Sequence, residues 1–279
     1  MPDPELGRNN GNRAATLRLQ GLLNRVGAAI LEDGDFGGGT DRAVRYAQSL
    51  AGQSQTGVAD QALWDWLAAQ PEPSPAVPSR CIAFTVRHEV SSREAYEKRF
   101  RQPVWPGGQA GVTIAIGYDL RFHPAEAFRG LIDDAHVEAL AAVEGVIGTT
   151  ALADDLADVD VPWSAAWEVF CKQSLPDFVE TTRRAFPGFD SLPGLCRGAL
   201  VSLVYNRGAS MRDVPSRAEM RRIRDLMADG GRPALEEIPD QLRAMKRLWP
   251  ELPGLQHRRE DEADMFEEGL RSSPDAAVS

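Results

Sequence analysis

The stretch Gly111-Val112-Thr113-Ile114-Ala115-Ile116-Gly117-Tyr118-Asp119 decides how the larger part of this chain reads. Bulky and small residues alternate through it. Val112, Ile114, Ile116 and Tyr118 form one face of a strand, and Thr113, Ala115, Gly117 and Asp119 the other. The pattern predicts a strand with an apolar back and a smooth front, with Thr113 and Asp119 at the two ends of that front. Upstream, Ile82, Thr85, Val86 and Glu89 share one face at helical spacing. A carboxylate on an otherwise inward face is unusual and marks Glu89 as a candidate general acid. Helix periodicity dominates the remainder of the chain, so the fold class expected is mainly α with a small β-sheet.

The N-terminal part has its own pattern. Leu17, Leu19, Leu22, Leu23 and Val26 give a helical stripe, followed by the turn cluster 32–40. Thr40 is the expected N-cap of a second helix carrying Ala43, Val44, Ala47 and Leu50, and a third helix is expected at 59–68. Pro-Glu-Pro-Ser-Pro-Ala-Val-Pro-Ser (71–79) cannot continue a helix and reads as a stiff linker. The predicted organisation is a disordered lead at 1–13, a small helical domain at 14–69, a linker at 70–79, a larger domain at 80–270 and a frayed tail at 271–279.

Composition narrows the partners. Hydrophobic residues make up 43% and charged residues 26%, enough for a packed core. A net charge of −10 argues against a general nucleic-acid binder. No apolar run is long enough for a membrane helix, and the N-terminus lacks the apolar core of a secretory signal. The expectation is synthesis in the cytoplasm as a monomer. Cys81, Cys171 and Cys196 show no paired spacing and read as reduced thiols. His88, His123, His136 and His257 form no metal-ligand motif, so neither a metal nor another cofactor is expected. Trp163 and Trp167, four apart, read as core.

Two resemblances follow from these motifs. Leu-Gln-Gly-Leu-Leu-Asn (19–24), Asp-Gly-Asp-Phe-Gly (33–37), Thr-Asp-Arg-Ala-Val (40–44), Thr-Gly-Val-Ala-Asp (56–60) and Leu63-Trp64 together resemble the three-helix peptidoglycan-binding domain found beside many wall hydrolases. The resemblance implies peptidoglycan as partner, with Asp35, Phe36, Tyr46 and Trp64 as candidate wall contacts. Glu89, followed by Thr113 and Asp119, resembles the lysozyme-like domain of pesticin and related phage-type lysozymes. The commoner phage enzymes place the second carboxylate about six residues before the threonine. That position here is Gly107, so the sequence fits the pesticin-type layout. The segments Ala199–Gly208 and Gly254–Glu262 look like that family's helix ending in Asn-x-Gly and its terminal helix.

The second resemblance implies a muramidase that cleaves the β-1,4 bond between N-acetylmuramic acid and N-acetylglucosamine. Glu89 would be the acid, and Asp119, helped by Thr113, would orient or deprotonate water in an inverting arrangement. Stabilisation of the oxocarbenium-like transition state by Asp119 is the competing role. Tyr118, Asn206 and Arg207 are candidate substrate contacts, while Arg258 and Arg259 read as structural partners of Glu260 or Glu262. The biological roles expected are a phage or prophage endolysin, or an antibacterial effector acting in the periplasm with a delivery system and an immunity protein as further partners. The alternatives are a non-catalytic wall binder with a degenerate lysozyme fold, or a Cys/His or zinc peptidase or amidase.

Overall fold

The computed structural model of the chain describes residues 3–8 and 10–273. Its architecture is mainly helical, with one two-stranded antiparallel sheet. Contacts divide the chain into two compact units: residues 1–73 with 86–175, and residues 74–85 with 176–279. This division differs from the boundaries read at the proline segment, because residues 86–175 cluster with the small helical domain.

In the first unit, α1 (Arg13–Arg25), α2 (Gly38–Leu50) and α3 (Gln61–Ala68) enclose a shared core. Leu19, Leu23, Val44, Ala47, Leu63, Trp64 and Leu67 are fully or almost fully buried there. Each such Leu contributes about 1.5–3 kcal/mol by leaving water. Asn12 caps α1 by accepting from Ala15 N at 3.1 Å, and Asp60 caps α3 by accepting from Leu63 N at 3.0 Å. Thr40 is not the cap of α2. The helix begins two residues earlier, and the buried Thr40 hydroxyl instead donates to Asp35 O and accepts from Gln20 Nε2, both at 3.1 Å. Gln20 is the reason: 1% exposed, it bonds Asp33, Gly34, Asp35 and Thr40 together and so fixes the whole turn.

The polar lead is also tied down where it is described. Leu6 is fully buried and exchanges two backbone hydrogen bonds with Ala59, at 3.1 and 2.8 Å. Trp64 Nε1 donates to Pro4 O at 2.9 Å. One apolar residue in a polar segment is enough to anchor it.

The rest of the first unit comprises the C-terminal part of α4 (Ser79–Val90), α5 (Arg93–Arg99), a hairpin of β1 (Thr113–Ile114) and β2 (Tyr118–Asp119), α6 (Asp134–Ala141), α7 (Thr150–Asp154) and α8 (Trp163–Val169). Trp163 and Trp167 explain why it clusters with the small domain. Trp163 Nε1 donates to Gly27 O at 2.8 Å, and Trp167 lies flat against Gly27. Gly27 has φ +85°, and a Cβ there would meet the Trp167 ring at 2.9 Å. The two tryptophans are core, but the core they complete includes the C-terminal end of α1.

The second unit contains α9 (Leu175–Ala185) from Pro176 onward, α10 (Gly194–Arg207), α11 (Ala218–Asp229), α12 (Arg232–Glu236), α13 (Ile238–Ala244) and α14 (Pro253–Arg271). Between α10 and α14 lies a buried ionic cluster. Glu262 Oε1 accepts from Ser202 Oγ at 2.6 Å, Arg259 Nη2 at 2.8 Å and Arg258 Nε at 3.3 Å. Arg258 and Arg259 are therefore structural partners of Glu262. Glu260 points elsewhere, to Arg243 at 2.6 Å and to Lys246. Most of the tail, residues 274–279, lies outside the described residues.

Candidate functional site

The stretch 112–119 is a hairpin rather than one continuous strand. Thr113 pairs with Asp119 and Ile114 with Tyr118, across a turn at 115–117 where Ala115 has φ +54° and Gly117 φ +70°. Left-handed backbone at two of three positions reverses the chain. Thr113 and Asp119, expected at opposite ends of one face, are thereby cross-strand neighbours. Val104 pairs on the other side of Thr113 through bonds of 2.9 and 2.7 Å, which locks the hairpin in place.

Glu89 sits in the last turn of α4, half-buried, with Ile82, Thr85 and Val86 of its face buried behind it. It lines a cleft of about 160 Å³ together with Val90, Val104, Thr113, Ile114 and Ala115. The helix end thus faces the hairpin, with a carboxylate on one wall and a hydroxyl on the other.

Asp119 is held by the backbone. Its Oδ1 accepts from Gly111 N at 3.0 Å and Arg121 N at 2.8 Å, and Oδ2 accepts from Gly111 N at 3.2 Å. These bonds hold the carboxylate against the Gly111 and Arg121 backbone and close the base of the hairpin; Asp119 is not among the residues that line the Glu89 cleft. Gly111 must remain glycine for this, since a Cβ would collide with Asp119 Oδ1 and sit 2.7 Å from the Arg121 backbone nitrogen. Gly111→Ala is expected to displace Asp119 and destabilise the hairpin by about 1–3 kcal/mol, as tight overpacking does. Chemical denaturation checks it, and an unchanged midpoint would contradict this account of the contact.

The remaining sequence-picked residues divide. Tyr118 is 3% exposed; its ring packs on Phe128 and His123 and its hydroxyl donates to Pro124 O at 2.8 Å. It is a core residue of the hairpin and offers a substrate almost no surface. Asn206 and Arg207 belong to the second unit. Asn206 Oδ1 accepts from Arg259 at 3.3 Å, and Arg207 lies over Trp249 at 4.8 Å and donates to Ser216 O at 2.5 Å. Burial and the neighbouring positive charge of Arg217 and Arg259 lower the Arg207 pKa to about 10.

In the small domain, Phe36 and Trp64 are 6% and 1% exposed and hold the core. Asp35 is exposed. Tyr46 is half-buried beneath the Arg93 guanidinium at 4.4 Å, and burial raises its hydroxyl to about 12. The three cysteines are buried and form no disulfide among the described residues; burial pushes Cys171 and Cys196 up to about 12, which makes them poor nucleophiles. Among the described residues, no group of three or more His, Cys, Asp or Glu is arranged to hold a metal ion, and no helix is long and apolar enough to cross a membrane.

Sequence reasoning missed a second cavity, of about 220 Å³, between the 33–42 segment of the small domain and the corner joining α4 to α5. The turn motif was visible, but nothing local signalled that Ser91 and Glu94 would face it.

No curated protein matches the chain. Residues 12–67, covering α1 to α3 and the turn that Gln20 organises, match the family model described as a putative peptidoglycan binding domain, so this chain carries a wall-binding domain at its N-terminal end.

Proposed function

We propose that the protein is a peptidoglycan hydrolase of the muramidase type. One observation carries the reading: Glu89 and Thr113 face one cleft, and Asp119 is the register partner of Thr113. The wall-binding domain supplies the substrate class. In this reading protonated Glu89 donates to the leaving glycosidic oxygen. Asp119, aligned by two backbone N–H groups, orients or deprotonates the attacking water, and the Thr113 hydroxyl helps to hold that water. The protein would act on the periplasmic wall, as a phage or prophage endolysin or as a delivered antibacterial effector.

Asp119 separates chemistry from architecture. Asp119→Asn keeps an acceptor for Gly111 N and Arg121 N but removes the charge. It is expected to fold normally and to lose about 10²–10⁴-fold in wall clearing, the range of a general base. Asp119→Ala should also lose stability, by about 1–3 kcal/mol, because two backbone donors lose their partner. Thr113→Ala should cost less activity than either. Turbidity loss of purified sacculi, read beside thermal melts, checks the series; an active Asp119→Asn would end the assignment.

A non-catalytic wall binder is the second reading, and the same hydrogen bonds favour it, since a purely structural Asp would make them too. A binder releases no soluble fragments from sacculi.

A further inference from the structure

The second cavity belongs to neither piece of the first unit alone. Asp33, Asp35, Gly39 and Arg42 of the wall-binding domain form one side, and Arg87, Ser91 and Glu94 of the α4–α5 corner form the other. Arg42 reaches across to Glu94 at 3.4 Å and ties the two sides together.

Backbone geometry singles out the same place. Among the described residues, three that are not glycine adopt left-handed backbone: Ala29, Ser91 and Ala115. Ala29 (φ +49°) and Ser91 (φ +66°) line this cavity, and Ala115 lines the Glu89 cleft. Such conformations cost about 1–3 kcal/mol each and persist where the surroundings enforce them, often at ligand sites. The cavity is also preset on its other wall, because buried Gln20 holds Asp33 Oδ1 at 2.8 Å and Asp35 O at 3.1 Å. Burial raises the Asp33 carboxyl, but the Gln20 and backbone hydrogen bonds outweigh it and leave it below the usual range, so it is ionised.

The lining chooses among ligands. It carries three carboxylates, Asp33, Asp35 and Glu94, and two guanidiniums, Arg42 and Arg87, but no aromatic ring. Charge of both signs suits a ligand bearing an ammonium and a carboxylate a few ångströms apart. A neutral sugar would want an aromatic platform in place of paired charges. At 220 Å³ the cavity is smaller than the roughly 300–1,000 Å³ of a drug-sized site, so it takes the end of a chain. Within peptidoglycan, the free end of the stem peptide has this chemistry, with the side-chain amine of a diamino acid beside carboxylates.

We propose that this cavity binds the free, amine- and carboxylate-bearing end of a peptidoglycan stem peptide, in a subsite built jointly by the wall-binding domain and the α4–α5 corner. The proposal rests on the wall-binding domain and is independent of any hydrolytic role of Glu89. Asp33 and Asp35 meet the ammonium, and Arg42 and Arg87 the carboxylate. Because Glu89 and Ser91 flank Val90 at the end of one helix, a stem seated here would lie beside the Glu89 cleft.

Calorimetry on the full chain tests it with two probes: N-acetylglucosaminyl-N-acetylmuramic acid carrying a tripeptide that ends in diaminopimelate, and the same disaccharide without peptide. The peptide-bearing probe is expected to bind at least 10-fold more tightly. Gly39 lines the cavity with nothing within 4 Å of a Cβ and no left-handed φ, so Gly39→Trp fills the space without a backbone clash. That variant should weaken the peptide-bearing probe at least 10-fold, while Gly39→Ala binds as wild type does. Should Gly39→Trp fail to fold, Asp35→Asn and Arg42→Gln carry the test, each with an expected loss of 3-fold or more. Wild-type affinity in a folded Gly39→Trp, or in both charge variants, overturns the proposal, as does equal binding of the two probes or no binding of the peptide-bearing one. Because the readout is binding without turnover, an inactive Glu89 cleft would leave the result unchanged.

Discussion

Glu89→Gln is expected to lower hydrolysis of purified peptidoglycan by about 10²–10⁴-fold while leaving the fold intact. The magnitude follows from what the substitution removes. Glutamine keeps the length, shape and hydrogen-bonding capacity of the side chain but carries no proton to give to the leaving oxygen. Glu89 is half-buried at the end of α4, and the residues that anchor its face, Ile82, Thr85 and Val86, are untouched by the change. A normal melting profile should therefore accompany the lost activity. Binding to sacculi should survive as well, because the wall-binding domain at residues 12–67 does not include Glu89. Wild-type activity in this variant would remove Glu89 from the mechanism.

The largest stability effect is expected at Glu262. Its carboxylate is fully buried and faces two buried guanidiniums. Glu262→Ala removes the carboxylate that both Arg258 and Arg259 face in a dry core, which costs about 3–5 kcal/mol. The cluster is not fully satisfied even in the native chain: Arg259 Nε and Nη1 and Glu262 Oε2 have no hydrogen-bond partner among the described residues. Burial opposes charge on both sides, raising the carboxyl of Glu262 and lowering the guanidinium of Arg259. An ionic group this poorly satisfied contributes little net stability, so replacing all three residues with apolar ones of similar volume should be nearly neutral or stabilising. Urea unfolding of the single and triple variants distinguishes the cases. A Glu262→Ala midpoint matching the wild type would show that the cluster is not the strut between α10 and α14 that its contacts describe.

The sequence revealed the small domain well because its signals are local. Asn12 and Asp60 cap where capping residues belong, and the leucine stripe of α1 faces the core. Thr40 misleads because a hydroxyl in the first turn of a helix can bond the preceding turn as readily as cap the helix, and only the buried Gln20 decides which. The hairpin shows a different limit. A three-residue turn keeps odd residues opposite odd ones, so Val112, Ile114, Ile116 and Tyr118 are buried in the hairpin just as in a straight strand. The alternation was correct and could not distinguish the two, although Gly117 inside a strand pattern was a turn signal. Tyr118, a candidate substrate contact by resemblance, shares the bulky face and is buried with it. The tryptophans of α8 read as core without revealing that the core includes Gly27, more than a hundred residues away in the chain. The second cavity is illegible for the same reason, since its two sides are distant in sequence.

Digestion of purified peptidoglycan by wild type and Glu89→Gln, with product masses and new reducing ends read together, decides whether the protein is a muramidase. Soluble muropeptides ending in reducing N-acetylmuramic acid are expected from the wild type, and about 10²–10⁴-fold less of them from Glu89→Gln. Products with new amino ends, reducing N-acetylglucosamine, or no soluble products at all from the wild type would contradict the muramidase assignment.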